Sequence, residues 1–192
     1  TTSNPVRARF YEYPRFTYPW HFHSEYEIIY VEKGEGDCLV GDSIISYSKG
    51  DLILFGSELP HSMQSPPDDG EESDNEEKSE PKVRGVNIQF EKDFMHYSIS
   101  QYSQFIPIRN LLEDACRGIK FTITRSGKII KLLKQIPSAK GVDQIILLLS
   151  LLQMMATSNH RKYLTTSHYT PSPSIMRNER MEKVIAYLNK HY

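Results

Sequence analysis

The apolar residues of this chain change their spacing near residue 100, and that change limits the fold more than any other feature. Up to about residue 97 they fall in short β-type runs, Tyr26-Glu27-Ile28-Ile29-Tyr30-Val31, Ser43-Ile44-Ile45-Ser46-Tyr47 and Leu52-Ile53-Leu54-Phe55, separated by glycine-containing turns. Short strands at such intervals predict a barrel or a sandwich. From about residue 101, Ile129, Ile130, Leu132, Leu133 and Ile136 recur at helical spacing, and Val142 to Met155 form a stretch that is apolar on most sides. Gly127 lies near the start of the first of these helices, and Pro137 and Gly141 mark the turn between the two, so an antiparallel helical hairpin is expected. The second helix has more apolar surface than one neighbour can cover, which points to the β-region or a second copy of the chain as a further partner. A homodimer is expected on this ground, and a charge placed at Leu148 is expected to weaken it.

Two polar stretches interrupt this plan. Between Pro67 and Glu80 the sequence holds eight acids and one lysine and no large apolar side chain. Such a segment cannot bury enough surface to offset its ordering entropy, so residues 66–82 are expected to form a mobile acidic loop. Val83, Val86, Ile88 and Phe90 resume the β-type pattern after it, which places the loop inside one β-domain. Thr165 to Ser174, with Pro171 and Pro173, reads as a semi-rigid linker, and Met181, Val184, Ile185 and Leu188 then fall on one face of a last amphipathic helix.

Composition excludes several functions. A formal net charge of -1 lacks the basic excess that neutralises phosphates, so this portion is not expected to bind DNA tightly by itself. Cys38 and Cys116 stand far apart, with no C-x-x-C pair, which excludes a disulfide framework and a cysteine-based zinc site and fits a reducing cytoplasm. The longest apolar run, Ile145 to Leu152, is broken by Ser150 and falls well short of the roughly 20 residues that cross a bilayer, so no membrane partner is expected. No activated serine or cysteine nucleophile, phosphate-binding glycine loop or dinucleotide fingerprint is present.

The chemistry concentrates in His21-x-His23-x3-Glu27-x6-Gly34, followed by Gly50 and His61. Residues two apart in a strand share a face, so positions 21, 23 and 27 can point into one interior, where a later strand can bring in a third imidazole. His21, His23, Glu27 and His61 together suit a divalent metal of the zinc, nickel, manganese or iron type. They equally suit a polar effector pocket without metal. Strict alternation puts Glu25 on the same face as Glu27 and leaves open which of the two points inward. Aromatic residues crowd the same region at Phe10, Tyr11, Tyr13, Phe16, Tyr18 and Trp20, with Arg7, Arg9 and Arg15 among them. Trp20 is a candidate to stack on a ligand, and Arg9 a candidate to hold a carboxylate through bidentate hydrogen bonds.

The first of these motifs resembles the first cupin motif, and Gly50 with His61 resembles the second, with Gly56, Glu58 and Ser65 standing where that motif usually has proline, glycine and asparagine. The wording around them resembles sensors of the AraC type: His23-Ser24-Glu25-Tyr26-Glu27-Ile28, Gly50-Asp51-Leu52, Leu59-Pro60-His61, Asn87-Ile88-Gln89-Phe90, Leu111-Leu112-Glu113, Arg117-Gly118-Ile119 and Met181-Glu182-Lys183-Val184-Ile185-Ala186-Tyr187-Leu188. The resemblance implies an α+β protein, a cupin jelly-roll β-barrel followed by a helical hairpin and one further helix. It implies an effector-binding barrel over residues 1–100, a helical dimerisation region over 101–170, and the start of a helix-turn-helix DNA-binding domain over 174–192. A small effector such as a sugar or related metabolite would bind at His21, His23, Glu27, His61, Glu25, Arg9 and Trp20. DNA would be bound only through a C-terminal domain beyond this sequence. On this reading the chain is a transcription regulator and not an enzyme. The alternative is a metal-dependent cupin enzyme, a dioxygenase or isomerase, with the metal at His21, His23, Glu27 and His61.

Overall fold

A computed structural model of the chain describes residues 4–66, 82–123 and 127–170. The acidic segment, apart from its two ends, and the helix expected after residue 174 lie outside the described residues. Among the described residues, ten strands form two sheets. The larger has the order β1 (Val6–Tyr13), β8 (Val83–Phe90), β3 (Tyr26–Lys33), β6 (Asp51–Phe55), β9 (Ile119–Thr122) and β10 (Arg161–Tyr163). The smaller has the order β2 (Thr17–His21), β7 (His61–Gln64), β4 (Gly36–Val40) and β5 (Ser43–Tyr47). Four helices follow the first eight strands: α1 (His96–Gln101), α2 (Ile106–Asp114), α3 (Gly127–Gln135) and α4 (Gly141–Ala156).

The larger sheet is covered on both faces, which explains why its central strands are apolar at nearly every position. Alternate residues divide between two cores. Ile28, Tyr30, Leu52, Leu54, Val86 and Ile88 pack against Leu111, Leu133, Leu148 and Leu152 of the helical layer. Ile29, Val31, Ile53 and Phe55 pack against Cys38, Val40, Tyr47 and Met63 of the smaller sheet. The result is a jelly-roll sandwich with a helical layer on its outer side, and its two sheets do not close into a continuous barrel.

The helical hairpin forms where the hydrophobic spacing puts it. Ile129, Leu133 and Ile136 are buried on α3 and the short turn after it. On α4, Leu148, Leu151, Leu152 and Met155 form a buried stripe at positions i, i+3, i+4 and i+7, whereas Val142 and Ile146 remain 68% and 54% exposed. Leu148 has no exposed surface at all. A charge there therefore reports on folding, and Ile146, two residues earlier and on the opposite, exposed face of α4, is where a charge would test for a dimer.

Two strands arise in the region read from its sequence as helical. Ile119, Phe121 and Ile123 are buried in alternation, and β9 pairs antiparallel with β6. The pattern Ile119-x-Phe121-x-Ile123 signals a strand by itself, but in so short a run it is easily lost between helices. β10 then adds to β9, so the sheet draws on both sides of the expected boundary near residue 100. Among the described residues no helix is long and apolar enough to cross a membrane.

Candidate functional site

The polar cluster lies between the two sheets. Pairing of β2 with β7 sets His21 opposite His61, and Glu27 reaches them from β3 of the other sheet. His23 is contributed by the turn that enters β3. The four candidate ligand atoms of His21, His23, Glu27 and His61 all lie within 4.8 Å of one another. Glu27 and His61 are buried, 5% and 2% exposed, and the His61 ring stacks on Phe55 at 4.1 Å between centroids.

Backbone carbonyls orient all three imidazoles. His21 Nδ1 meets Pro19 O at 2.8 Å, His23 Nδ1 meets Glu25 O at 3.1 Å, and His61 Nδ1 meets Leu59 O at 2.8 Å. A carbonyl oxygen only accepts, so each Nδ1 carries the proton and each Nε2 is turned inward. Nε2 of His61 and of His23 stands 2.8 Å and 3.2 Å from Glu27 Oε2. Both nitrogens of these two rings therefore face oxygen acceptors, an arrangement that suits either a second ring proton or a cation held at Nε2.

Asn87 and Gln89 hold the other side of Glu27. Their side-chain amides donate to Oε1, Gln89 at 3.2 Å and Asn87 at shorter range, which leaves Oε2 aimed at the histidines. Burial by itself would raise the Glu27 carboxyl, but hydrogen bonds from His23, His61 and Asn87 outweigh it and hold the group well below the usual carboxylate range. The hydrogen bond to Glu27 raises His23 against the opposing effect of its burial, whereas burial lowers His21. Asn87 and Gln89 carry no ligand-binding signature in the sequence. Their spacing of two on a strand whose other face is Val86, Ile88 and Phe90 is the signal that could have marked them as interior polar residues.

His21, Glu27 and His61, but not His23, form one end of a cavity of about 80 Å³. Tyr11, Tyr13, Phe16, Tyr18, Ile29 and Met63 form its less polar walls, and Arg9 also lines it. Arg9, Tyr11 and Tyr13 reach it from one face of β1. Tyr11 donates to Tyr30 O at 3.0 Å, and its burial pushes the phenol far up. Arg9 is exposed and donates to the Tyr18 hydroxyl at 3.4 Å, which puts a guanidinium at the open side of the cavity.

Of the residues singled out from sequence, His21, His23, Glu27 and His61 come together, with Arg9 on the same cavity. Glu25 and Trp20 do not line it. Strand β3 starts at Tyr26, so Glu25 falls outside the alternation that would have turned it inward; its carboxylate lies 3.6 Å from Arg7 and 3.7 Å from His23 Nδ1. Trp20 sits half-buried next to His21 on β2, and a one-residue step along a strand turns a side chain to the other face.

The departure from the second cupin motif at Glu58 has a structural cost. Glu58 has φ of 62°, a left-handed conformation that suits glycine, and its N–H donates to His23 O at 2.8 Å. The turn geometry survives with a side chain that strains it. Glu58→Gly is expected to stabilise the chain by up to about 1 kcal/mol in a urea titration, and a loss of stability would show that the carboxylate contributes more than the backbone loses.

The two-sheet sandwich with its inward histidine and glutamate cluster is cupin-like in fold. Residues 4–73 match the family model of the AraC-like ligand binding domain. Among solved structures it is similar to an apo lysine-to-alanine variant of ToxT from Vibrio cholerae, with 16% identity and a TM-score of 0.50 over 96% of this chain and 65% of that one. It is also similar to wild-type Vibrio cholerae ToxT with a bound unsaturated fatty acid, with 15% identity and a TM-score of 0.52 over 98% of this chain and 70% of that one. At these identities the likeness is one of fold. The chain spans 65% of the length of the first of these structures. No curated protein sequence matches it.

Proposed function

We propose that this chain is the effector-sensing and dimerisation portion of an AraC-type transcription regulator of the cytoplasm. A small molecule would enter the cavity between the sheets and thereby alter DNA binding by a C-terminal helix-turn-helix domain. Residues 1–100 would supply most of the effector-binding unit, 101–170 the dimerisation region, and 174–192 the start of the DNA-binding domain. The observation that carries this reading is the cavity itself: aromatic walls, a polar end oriented by backbone carbonyls, and a guanidinium at the open side. Pockets that bind small molecules combine these parts.

The cavity of about 80 Å³ is open to solvent where Arg9 and Tyr18 are exposed, so it suits a small effector or one end of a longer one. The test is a thermal-shift and calorimetric titration of the chain with small sugars, short and long carboxylic acids and their amides, beside Arg9→Ala and His23→Ala. Saturable binding that His23→Ala abolishes while the variant stays folded supports the sensor. Binding of acids but not amides, lost in Arg9→Ala, assigns the guanidinium to a carboxylate. Absence of binding across the panel counts against the reading.

A second reading, a metal-dependent cupin enzyme, is favoured by one observation, the donor set. Three imidazole nitrogens and a carboxylate oxygen within 4.8 Å of one another fit a divalent cation of the zinc, nickel, manganese or iron type, which takes such ligands at about 2.0–2.2 Å. Such an ion would be held by His21, His23, Glu27 and His61 and would polarise an oxygen of a bound molecule. Elemental analysis of the purified chain beside a variant with both His21→Ala and His61→Ala separates the cases. A near-stoichiometric metal lost in the variant supports the enzyme, and no metal in either leaves the cluster as the polar end of an effector pocket.

A further inference from the structure

We propose that residues 164–169 form a clasp through which the polar site controls the chain leading out of the domain, a proposal that rests on the cavity being the effector site. After β10 the chain runs back across the turn between β4 and β5. There Asp42 takes two hydrogen bonds from one residue: Thr166 N–H donates to Oδ1 at 3.0 Å, and the Thr166 hydroxyl donates to Oδ2. Leu164 N–H donates to Gly118 O at 3.0 Å and Thr165 N–H to Arg117 O at 3.1 Å, which fixes the approach to that contact. Leu164 is buried in the core between the sheets, and Tyr169 packs at the edge of the same core.

Gly41 shows how close the fit is. Its φ is 55°, and a β-carbon there would stand 2.7 Å from the Thr165 methyl and 2.8 Å from the Tyr169 ring. The position tolerates no side chain while the segment lies in place.

The same turn is tied to the site from its other side. Gly41 N–H donates to Pro60 O at 2.9 Å, and Val40 is the register partner of His61. His61 Nδ1 is anchored to Leu59 O, so the ring that touches Glu27 and the carbonyl that holds Gly41 belong to one three-residue segment. A ligand that shifts the His61 ring shifts Leu59-Pro60-His61, and with it the Gly41–Asp42 turn that fastens Thr166. Release of Thr166 frees the segment that leads toward residue 171. Coupling of this kind is reciprocal, so loosening the clasp must also loosen the site.

Hydrogen exchange of the 192-residue chain, resolved by amide and carried out without ligand, tests this in both directions. Asp42→Ala removes a charged acceptor and is expected to speed exchange at Thr166 by about tenfold. It is also expected to raise the rate at Gly41, whose amide reports on Pro60. Glu27→Gln, which alters the site and leaves the clasp residues unchanged, is expected to raise the rates at Gly41 and Thr166 several-fold beyond any common rise that its loss of stability produces at amides of α4. Should Glu27→Gln speed every amide equally, the surface variant Asp42→Asn supplies the same reading from the clasp side alone. Unchanged exchange at Gly41 in the Asp42 variants, or at Thr166 in a folded Glu27→Gln, overturns the coupling. Because no ligand is present, that outcome is independent of whether the titrations above find an effector.

Discussion

Glu27→Ala is expected to destabilise the chain by about 3–5 kcal/mol, the range seen when one member of a buried charged cluster is removed. Oε2 of the carboxylate faces Nε2 of His23 and His61, and Oε1 accepts from Asn87 and Gln89. Alanine leaves four inward polar groups facing an apolar methyl, two of them on the buried residues His61 and Asn87. Each unsatisfied buried polar group costs about 1–3 kcal/mol, and partial hydration of the cavity offsets part of the sum. Urea titration measures the loss. A change below about 1 kcal/mol would mean that water replaces the carboxylate freely, so that the cluster is an open pocket mouth and not an interior network. Glu27→Gln keeps the shape and should fall between the two, because an amide can accept on one atom but presents donors to the histidines on the other.

The second large effect is expected on α4, where two neighbouring positions should behave in opposite ways. Leu148→Ala is expected to cost about 2–5 kcal/mol, since the side chain is fully buried between the larger sheet and α2 and α3, and the surrounding core cannot collapse into the space. Ile146→Glu is expected to change stability by no more than about 0.5 kcal/mol, because the side chain is 54% exposed. If α4 forms the proposed dimer through Val142 and Ile146, that same substitution lowers the mass measured by light scattering to one chain. An unchanged oligomeric mass with Ile146→Glu would move the interface elsewhere. A large stability loss with Ile146→Glu would show instead that the outer stripe is already covered within one chain.

The distinction between these two positions illustrates what could be read in advance. The period of the sequence marked α3 and α4 and the turn at Pro137 to Gly141, since helical spacing is a local property of consecutive residues. It left Leu148 and Ile146 equivalent, because α4 is apolar on most sides and only its neighbours in space decide which stripe is buried. The strand β9 was missed for the related reason that four residues of alternation mean little until β6 lies beside them.

At the site the division is similar. The sequence by itself named the residues of a nitrogen and oxygen cluster, His21, His23, Glu27 and His61, and the structure brings those four together, but across a turn that carries the chain from β2 of one sheet to β3 of the other and not along the face of one strand. It could also place Arg9 among the candidates for the cavity. Only the tertiary structure decided that Glu27 and not Glu25 turns inward, because the start of β3 at Tyr26 is set by pairing with β6 and β8. Only it showed Asn87 and Gln89 clamping Glu27 across 60 and 62 residues, and Thr166 fastened to Asp42 across 124. Residue type and local spacing are written in the chain one position at a time, whereas a hydrogen bond between distant residues exists only after the sheets have brought both partners to the same place.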